Sequence, residues 1–381
     1  MKFSLRRKKR DENKKKKSKT REWFDAIVFA VIAASLIRWL FFEPFTIPTP
    51  SMERSLLVGD FLFVSKLHYG PMTPKTPLQI PLTHQKVWGI PTYTSAVQLP
   101  QYRLPHFSSV KKGHSVVFHW PDEREHPSDM RVHYIKRCVG VAGDTLEIRD
   151  AQVFINGSAQ ENAPGLQHKY LVYTRDEITL QDRIFQQAGI RDYSRYPENY
   201  LAHATAEAAE ELRAKPVIEE VERYIIPDNV PDDNVFPDGK NQNSMQPKSG
   251  YNPGAERMGW NVDNFGPLWI PQEGATITLT PENVSKYGYT IKFYEGWDEE
   301  DVSLGPDYVV VEGDTLQEYT FQQNYYWMMG DNRDNSEDSR FWGFVPDDHV
   351  VGKAAFIWLS IDYDAPLAKK IRWSRMFRSV D

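Results

Sequence analysis

Ser51 is the first residue of this chain that is well placed for chemistry, because it closely follows a long apolar segment at residues 23–42. An extended chain advances at most about 3.3–3.6 Å per residue, so the hydroxyl of Ser51 would lie within roughly 30 Å of a membrane that this segment crossed. A serine hydroxyl is a poor nucleophile until a base removes its proton. The sequence must therefore supply a base for Ser51.

A histidine base has little support in the sequence. No Gly-x-Ser-x-Gly motif surrounds Ser51, and His68 is the only early histidine near it. Distance along the chain does not exclude a Ser-His-Asp arrangement. The other chemical solution is a lysine that burial keeps neutral.

Lys136 is the candidate for that lysine. It lies in a β-rich run, residues 131–140, in which alternation places Val132, Tyr134, Lys136 and Cys138 on one face and Arg137 on the other. Desolvation lowers the pKa of a lysine. A shift from about 10.4 to about 8 costs roughly 3 kcal/mol, which a fold would carry only for a purpose. The pattern alone also allows a lysine that reaches solvent from a sheet edge.

A polar loop supplies the third element. Residues 329–343 read MGDNRDNSEDSRFWG, and the hydroxyls of Ser336 and Ser339 could hold a neutral amine in place. The opposite charges could stiffen the loop, or they could simply pair with one another. A calcium loop is not favoured, because the acidic spacing does not match the EF-hand pattern and the central glycine is missing.

Together these three pieces resemble type I signal peptidase, a membrane-anchored serine–lysine protease. The similar blocks are residues 45–52, Gly59-Asp60, residues 134–144 and residues 329–343. The resemblance implies an endopeptidase that forms an acyl-enzyme and removes signal peptides from exported preproteins after small-x-small sites. It implies no metal and no organic cofactor, and a mainly β fold of antiparallel sheets.

The resemblance also assigns roles to single positions. Ser51 matches the nucleophile, Lys136 the general base and Ser336 the serine that orients the lysine. Thr49 stands where the family often has a serine whose hydroxyl helps to form the oxyanion hole, and threonine keeps that hydroxyl. Pro50 replaces a flexible residue and fixes φ near −65° before the nucleophile.

Further positions follow from the same resemblance. The residues expected to bind the extended substrate are Phe45, Ile47, Pro48, Met52, His133, Tyr134 and Ile135. The residues expected to support the site are Arg137, Gly330, Asp331 and the ion-paired Asp338 and Arg340.

Composition and charge limit the other possibilities. Of the 381 residues, 40% are apolar and 13% aromatic, which is enough for a folded core. Residues 1–21 hold 12 lysines and arginines against two acidic residues, whereas the remaining chain is acidic, which argues against nucleic acid as a partner. Cys138 is the only cysteine, so an internal disulfide and a cysteine-based metal site are excluded.

The elements that position the site begin with a membrane anchor. Residues 23–42 form a 20-residue segment, long enough at 1.5 Å per residue to cross a hydrocarbon core of about 30 Å. A cleaved secretory signal is the alternative, but the basic head is unusually long and no small-x-small site follows the apolar core before Glu43. The positive-inside rule places residues 1–22 in the cytoplasm and the rest outside. The resemblance implies a single-pass protein of the bacterial inner membrane, with signal peptides, membrane lipids and the export translocon as partners.

Beyond the anchor we expect three parts. Residues 43–157 form a first catalytic part, residues 158–305 a large mixed insertion, and residues 306–381 a second catalytic part with a basic tail that could rest on anionic lipid. Strands are predicted at residues 60–65, 115–118, 132–141, 145–148, 152–155, 308–312, 325–329 and 349–361. A hairpin turn is predicted at Asn156-Gly157, a helix at residues 205–215, and loops at residues 71–108 and 227–254.

Two other functions remain open at this point. The protein could be an inactive relative that serves as a membrane-bound binding or assembly factor, since long insertions often carry partner surfaces. It could also be a self-cleaving protease of the repressor type, but that class would require a DNA-binding head in place of the anchor.

Overall fold

The computed structural model describes residues 18–175, 178–239, 252 and 256–380. Most of the predicted basic head, and the part of the predicted 227–254 loop at residues 240–251 and 253–254, therefore lie outside the described residues.

The chain begins with one long helix, α1 (Lys19–Leu40). The side chain of Ser18 accepts a hydrogen bond from the backbone N–H of Arg21 at 3.3 Å, which explains why the helix begins four residues before the predicted segment. No residue of α1 is buried against the rest of the chain. The helix is long and apolar enough to cross a membrane, and it ends before the first strand begins at Phe42.

The other described helices are short or moderate in length: α2 (Asp182–Gln187), α3 (Ala206–Arg213), α4 (Pro281–Tyr294) and α5 (Ser339–Trp342). The strands are β1 (Phe42–Thr46), β2 (Asp60–Ser65), β3 (Lys86–Val87), β4 (Ile90–Pro91), β5 (Ser115–His119), β6 (His133–Gly140), β7 (Thr145–Arg149), β8 (Gln152–Ile155), β9 (Ser158–Ala159), β10 (His168–Thr174), β11 (Tyr193–Arg195), β12 (Tyr200–Ala204), β13 (Ile218–Arg223), β14 (Phe265–Trp269), β15 (Thr276–Thr278), β16 (Val302–Leu304), β17 (Val309–Val311), β18 (Asp314–Thr315), β19 (Glu318–Thr320), β20 (Tyr325–Met329), β21 (Val345–Pro346), β22 (Val350–Ser360) and β23 (Arg378–Ser379).

The largest sheet has the order β1-β2-β22-β5-β6-β20-β21, and every pairing in it is antiparallel. The fold is therefore mainly β, as predicted, and each predicted strand is present within a few residues of its expected bounds. The predicted hairpin turn is also present, with positive φ at both Asn156 (52°) and Gly157 (78°), which suits a two-residue turn.

The predicted insertion at residues 158–305 is divided by its packing. Strands β10 to β13 form a separate four-stranded sheet, which α2 and α3 cover with a core around Val172, Phe185 and Leu212. In contrast, β14 pairs with β7, and α4 packs in the same large core as Trp327 of β20. This second half therefore packs with β7 and β20, through long-range contacts that no local sequence pattern reveals.

The C-terminal tail folds back on the main sheet. Strand β23 pairs with β22, and Arg375 forms an ion pair with Asp60 at 2.6 Å, while Arg372 contacts Asp362 at 3.2 Å. Two of the basic residues of the predicted tail therefore stabilise its attachment to the protein.

Candidate active site

Ser51 lies in a single turn of 3₁₀-helix, Pro50–Met52. Pro50 occupies the first position of this turn, where its missing N–H costs nothing, and Thr49 before it is extended with φ −126° and ψ 154°. Met52 and Leu56 are almost fully buried and pack in a core cluster with Leu62. The turn is therefore fixed by apolar packing on the C-terminal side of the serine.

Lys136 reaches Ser51 from strand β6. Its Nζ lies 2.6 Å from Ser51 Oγ, and the two residues are 4% and 8% exposed. The ring of Tyr134, two residues earlier on the same face, has its centroid 5.7 Å from Nζ. The alternation predicted for this strand therefore brings the lysine to the serine rather than to solvent.

Burial lowers the pKa of Lys136 to about 8. The carboxylates of Asp338, Glu337 and Asp331 oppose this shift because they favour the charged amine. Desolvation is the larger effect, so a substantial fraction of the amine is neutral at slightly alkaline pH.

A second group of contacts fixes the position of the lysine strand relative to the serine turn. Arg137 makes two hydrogen bonds to Asp331, Nε to Oδ1 and Nη2 to Oδ2, both at 2.7 Å. Asp331 Oδ2 also accepts a hydrogen bond from Ser55, four residues after Ser51. Arg137 further donates to the carbonyl of Gly113 at 2.6 Å. Arg137 is thus buried on the face of β6 opposite Lys136, where it connects that strand to the polar loop at residues 329–343.

Asn332 holds the serine turn from the loop side. Its backbone N–H donates to the carbonyl of Ser51 at 3.0 Å, and its side-chain amide contacts the carbonyl of Pro50 at 3.4 Å. Asn332 is fully buried. The sequence analysis assigned this residue no role, although it stands inside the polar loop quoted there, residues 329–343.

Ser336 lies near Ser51 but makes no described contact with the lysine. Its Oγ is buried and has no hydrogen-bond partner among the described residues. A Cβ added to Gly330 would lie 2.2 Å from Ser336 Oγ and 2.5 Å from the carbonyl oxygen of Ser51. Only glycine lets the backbone at position 330 come this close to both oxygen atoms, which explains why the residue there is a glycine. The role of Ser336 in orienting Lys136 stays a prediction.

The predicted ion pair of the loop is present. Arg340 contacts Asp338 through Nε and Nη2, both at 2.9 Å, and both residues are buried. The pKa of Asp338 is lowered, since the attraction of Arg340 outweighs the opposing effect of burial. Asp338 also accepts the backbone N–H of Gly330 at 3.0 Å, so the pair stabilises the loop next to the serine.

Thr49 is exposed two residues before Ser51, and its side chain does not cap the serine turn. Its hydroxyl therefore is not committed to the turn. The assignment of Thr49 to an oxyanion hole is not tested by these contacts.

The residues predicted to bind substrate line two strand edges that face each other. The rings of Phe45 on β1 and His133 on β6 have centroids 4.8 Å apart. Ile135 packs against the core clusters that contain Ile47 and Met52. Among the described residues, β1 pairs only with β2, and no strand pairs with the side of residues 133–136 that faces away from β5. Both edges therefore have backbone groups available to an added strand.

The four-stranded insertion sheet contacts the site, which sequence reasoning did not anticipate. Gln167 pairs with the loop through two backbone hydrogen bonds, from Gln167 N–H to Asp331 O (2.8 Å) and from Arg333 N–H to Gln167 O (3.0 Å). Arg54, three residues after Ser51, has a φ of 73°. Its side chain lies against Gly165 and Gly189, where an added Cβ would approach it to 2.8 and 2.7 Å.

The described residues contain no group of three or more histidine, cysteine, aspartate or glutamate side chains that could hold a metal ion. The site as the structure shows it consists of a buried serine, a buried lysine and the polar loop that fixes both.

Comparison with known proteins agrees with this arrangement. The profile of the family described as "Signal peptidase, peptidase S26" matches residues 20–248 and 297–359. The chain is 26% identical to Signal peptidase I of Buchnera aphidicola subsp. Schizaphis graminum, with 86% of this chain and 71% of that protein covered. It is 25% identical to Signal peptidase I of Rickettsia felis, with 97% of each chain covered. The corresponding values for Signal peptidase I of Haemophilus influenzae are 24%, 95% and 76%.

The family profile covers most of the chain, and its matched residues include Ser51, Lys136 and the 330–340 loop. The chain therefore belongs to the signal peptidase family, peptidase S26, and is a serine endopeptidase.

Proposed function

We propose that this protein removes N-terminal signal peptides from exported preproteins, with Ser51 as nucleophile and Lys136 as general base. The observation that carries the proposal is the 2.6 Å contact between Lys136 Nζ and Ser51 Oγ inside a buried site. Burial also lowers the pKa of the lysine to about 8, which supplies the neutral amine that the mechanism requires.

Substrate binding would use the two free strand edges. An extended peptide between β1 and the first half of β6 would satisfy backbone groups of both strands, as in other cases of strand addition. The side chains of Ile47, Met52 and Ile135 pack together in an apolar cluster next to Ser51 and leave little space there. Small side chains fit such a space and large ones clash with it, which supports cleavage after small-x-small sequences.

The reaction proceeds in two stages. The neutral amine of Lys136 takes the proton of Ser51 as Oγ attacks the scissile carbonyl carbon. The resulting oxyanion accepts hydrogen bonds from the Ser51 N–H and the Thr49 hydroxyl. Collapse of this intermediate breaks the C–N bond, and the Lys136 ammonium gives its proton to the leaving amine. Lys136 then takes a proton from water as the water oxygen attacks the acyl-enzyme carbonyl. Collapse of this second intermediate breaks the ester bond to Ser51 Oγ, the Lys136 ammonium returns its proton to that oxygen, and the signal peptide leaves as a carboxylate.

Helix α1 would anchor the enzyme at its substrate. The helix is apolar, has no buried residue and is followed directly by β1, whose end lies five residues before Ser51. The lysine-rich residues before it favour a cytoplasmic N-terminus and a catalytic part on the outer face of the inner membrane. The site would then meet preproteins where they leave the export translocon, with lipids around α1.

The experiment compares cleavage of a preprotein by the parent protein and by Ser51→Ala and Lys136→Met variants in detergent. We expect a loss of at least about 10³-fold in each variant, and no greater loss in the double variant, because the two residues act as a unit. Ser65→Ala and Lys353→Met change a buried serine and a strand lysine elsewhere in the same sheet and serve as matched controls.

Two results would contradict the proposal. Cleavage by either site variant at the parent rate would exclude the serine–lysine mechanism. A folded parent protein that binds several preproteins without cleaving any of them would favour the alternative, an inactive relative that acts as a binding or assembly factor.

A further inference from the structure

A cavity of about 370 Å³ lies between the end of α1 and the proline-rich loop at residues 71–108. Its apolar walls include Leu36 and Trp39 of the helix and Met72, Pro74, Pro77 and Leu82 of the loop. Trp39 Nε1 donates to the carbonyl of Met72 at 2.8 Å, which connects the helix to the loop at the cavity wall.

The cavity is continuous with the space between β1 and the first half of β6, which we call the substrate cleft. Glu43 of β1 and His133 of β6 both line it, and His133 contacts Phe45 within the cleft. His133 precedes Lys136 by three residues, about 10 Å along a strand at 3.3 Å per residue. A peptide that extends along the cleft away from Ser51 therefore reaches this cavity after roughly three to four residues.

The position of α1 indicates which part of a substrate would reach the cavity. The apolar part of a signal peptide precedes the cleavage site and comes from the membrane, whereas the mature part follows the cleavage site. The cavity adjoins the end of the only described helix that could cross a membrane. We propose that this cavity binds the end of the apolar segment of the signal peptide, several residues upstream of the cleaved bond. This inference rests on the proposed function.

The polar groups of the cavity favour a peptide over a lipid tail. The Oγ of Ser35 and the Nε2 of His84 are buried and have no hydrogen-bond partner among the described residues, and both residues line the cavity. Burial lowers the pKa of His84, so its ring is neutral and offers one donor and one acceptor. A peptide that leaves a sheet brings unpaired N–H and C=O groups that these atoms can satisfy. An acyl chain brings none.

The two cations that line the cavity are paired with a carboxylate. The carboxylate of Glu43 forms ion pairs with Arg38 at 2.6 Å and with Lys66 at 2.7 Å. The pKa of Glu43 is lowered, since the attraction of these two cations outweighs the opposing effect of burial. The cations are therefore already engaged by a carboxylate, which suits an uncharged apolar segment better than an anionic headgroup.

The histidines of the cavity do not indicate a metal. The ring of His133 lies 5.0 Å from that of His84 and 4.5 Å from that of His119, measured between centroids. They pack against one another, and no group of three ligands suited to a metal occurs among the described residues.

Photocrosslinking tests the occupant directly. A photoreactive phenylalanine derivative would replace Leu82, which lines the cavity, or Leu78, which belongs to the same loop but not to the lining. The two leucines are similarly exposed, 46% and 50%, so they form a matched pair. Each would be placed in full-length Ser51→Ala protein in nanodiscs with a preprotein. We expect position 82 to crosslink to the signal peptide upstream of the cleavage site, and position 78 to crosslink far less.

The inference would be overturned if position 82 crosslinked to phospholipid alone or to the mature part of the preprotein, or if it crosslinked no more often than position 78.

A kinetic test complements this result. Leu82→Trp should lower kcat/KM about tenfold for a full preprotein and leave unchanged the cleavage of a short peptide that spans only the three residues before the cut and two after it, which ends before the cavity. Leu78→Trp should change neither. Equal losses on both substrates, or no loss on either, would contradict the inference. Failure of the proposed function would differ, because the parent would then cleave neither substrate or would cleave independently of Ser51.

Discussion

The amine of Lys136 lies 2.6 Å from the hydroxyl oxygen of Ser51, and both side chains are buried. The two residues come from separate elements, a 3₁₀ turn and strand β6, that are 85 residues apart in sequence. Asp331 connects them, since it binds Arg137 beside the lysine and Ser55 beside the serine. These contacts therefore hold the β6 strand and the serine turn in position relative to each other.

The buried lysine should make the fold less stable at neutral pH. The pKa of Lys136 is about 8 in the folded protein and 10.5 in its ordinary environment. The unfolded chain therefore holds more protons between these values, and the free energy of unfolding rises with pH across this window. We expect Lys136→Met to raise this free energy by about 3 kcal/mol below pH 8, with the gain vanishing as pH approaches 10.5.

Denaturant unfolding of the parent and of Lys136→Met at pH 7 and pH 10.5 measures this difference. Lys353→Met provides the control for loss of a strand lysine. A Lys136→Met variant that is less stable than the parent at pH 7 would show that the amine is not disfavoured by burial.

Ser336 and Ser339 offer a matched pair within one loop. Ser339 Oγ accepts the backbone N–H of Met328 at 2.9 Å, whereas Ser336 Oγ has no partner among the described residues. If Ser336 orients the lysine as predicted, Ser336→Ala should lower kcat by up to about 100-fold with little loss of stability. Ser339→Ala should instead cost about 1 kcal/mol of stability.

Steady-state kinetics and thermal unfolding of both variants separate these effects. If Ser336→Ala retained the parent kcat and the parent pH profile, Ser336 would have no part in positioning the base.

The insertion sheet should support the nucleophile turn through Arg54. Gly165 and Gly157 both have positive φ, 85° and 78°, so alanine strains the backbone at either position by about 1–2 kcal/mol. Only at Gly165 would the new Cβ press on Arg54, at 2.8 Å, since nothing lies within 4 Å at Gly157. We expect Gly165→Ala to lower kcat about tenfold with KM nearly unchanged, and Gly157→Ala to leave both unchanged.

Equal kcat values for the two glycine variants, at similar losses of stability, would contradict this role. The insertion sheet would then be only a neighbour of the site.

The sequence allowed the prediction of the parts of the site that depend on local pattern. The alternation of residues 132–138 placed Lys136 on a buried face, and the spacing between α1 and Ser51 placed the nucleophile next to a membrane anchor. Other contacts join distant segments, such as Asn332 to Pro50, 282 residues apart, and Arg137 to Asp331, 194 apart. Gly165 and Gly189 read as ordinary turn glycines, and only the fold shows that Arg54 occupies the space a side chain would need.

Contacts between distant segments also explain why residues 158–305 divide into two parts. The composition of this interval differs from its surroundings, which favoured one insertion. The pairing of β14 with β7 and the packing of α4 near Trp327 depend on tertiary contacts that composition does not carry.

The pH dependence of kcat/KM for a preprotein, measured from pH 6 to 9.5, tests most directly whether Lys136 is the base. Burial lowers the pKa of this amine to about 8, so its neutral fraction rises about tenfold per pH unit below that value. We expect kcat/KM to rise with the same slope and to level off above about pH 8. A flat profile between pH 6 and 9 in a fully folded enzyme would contradict the account.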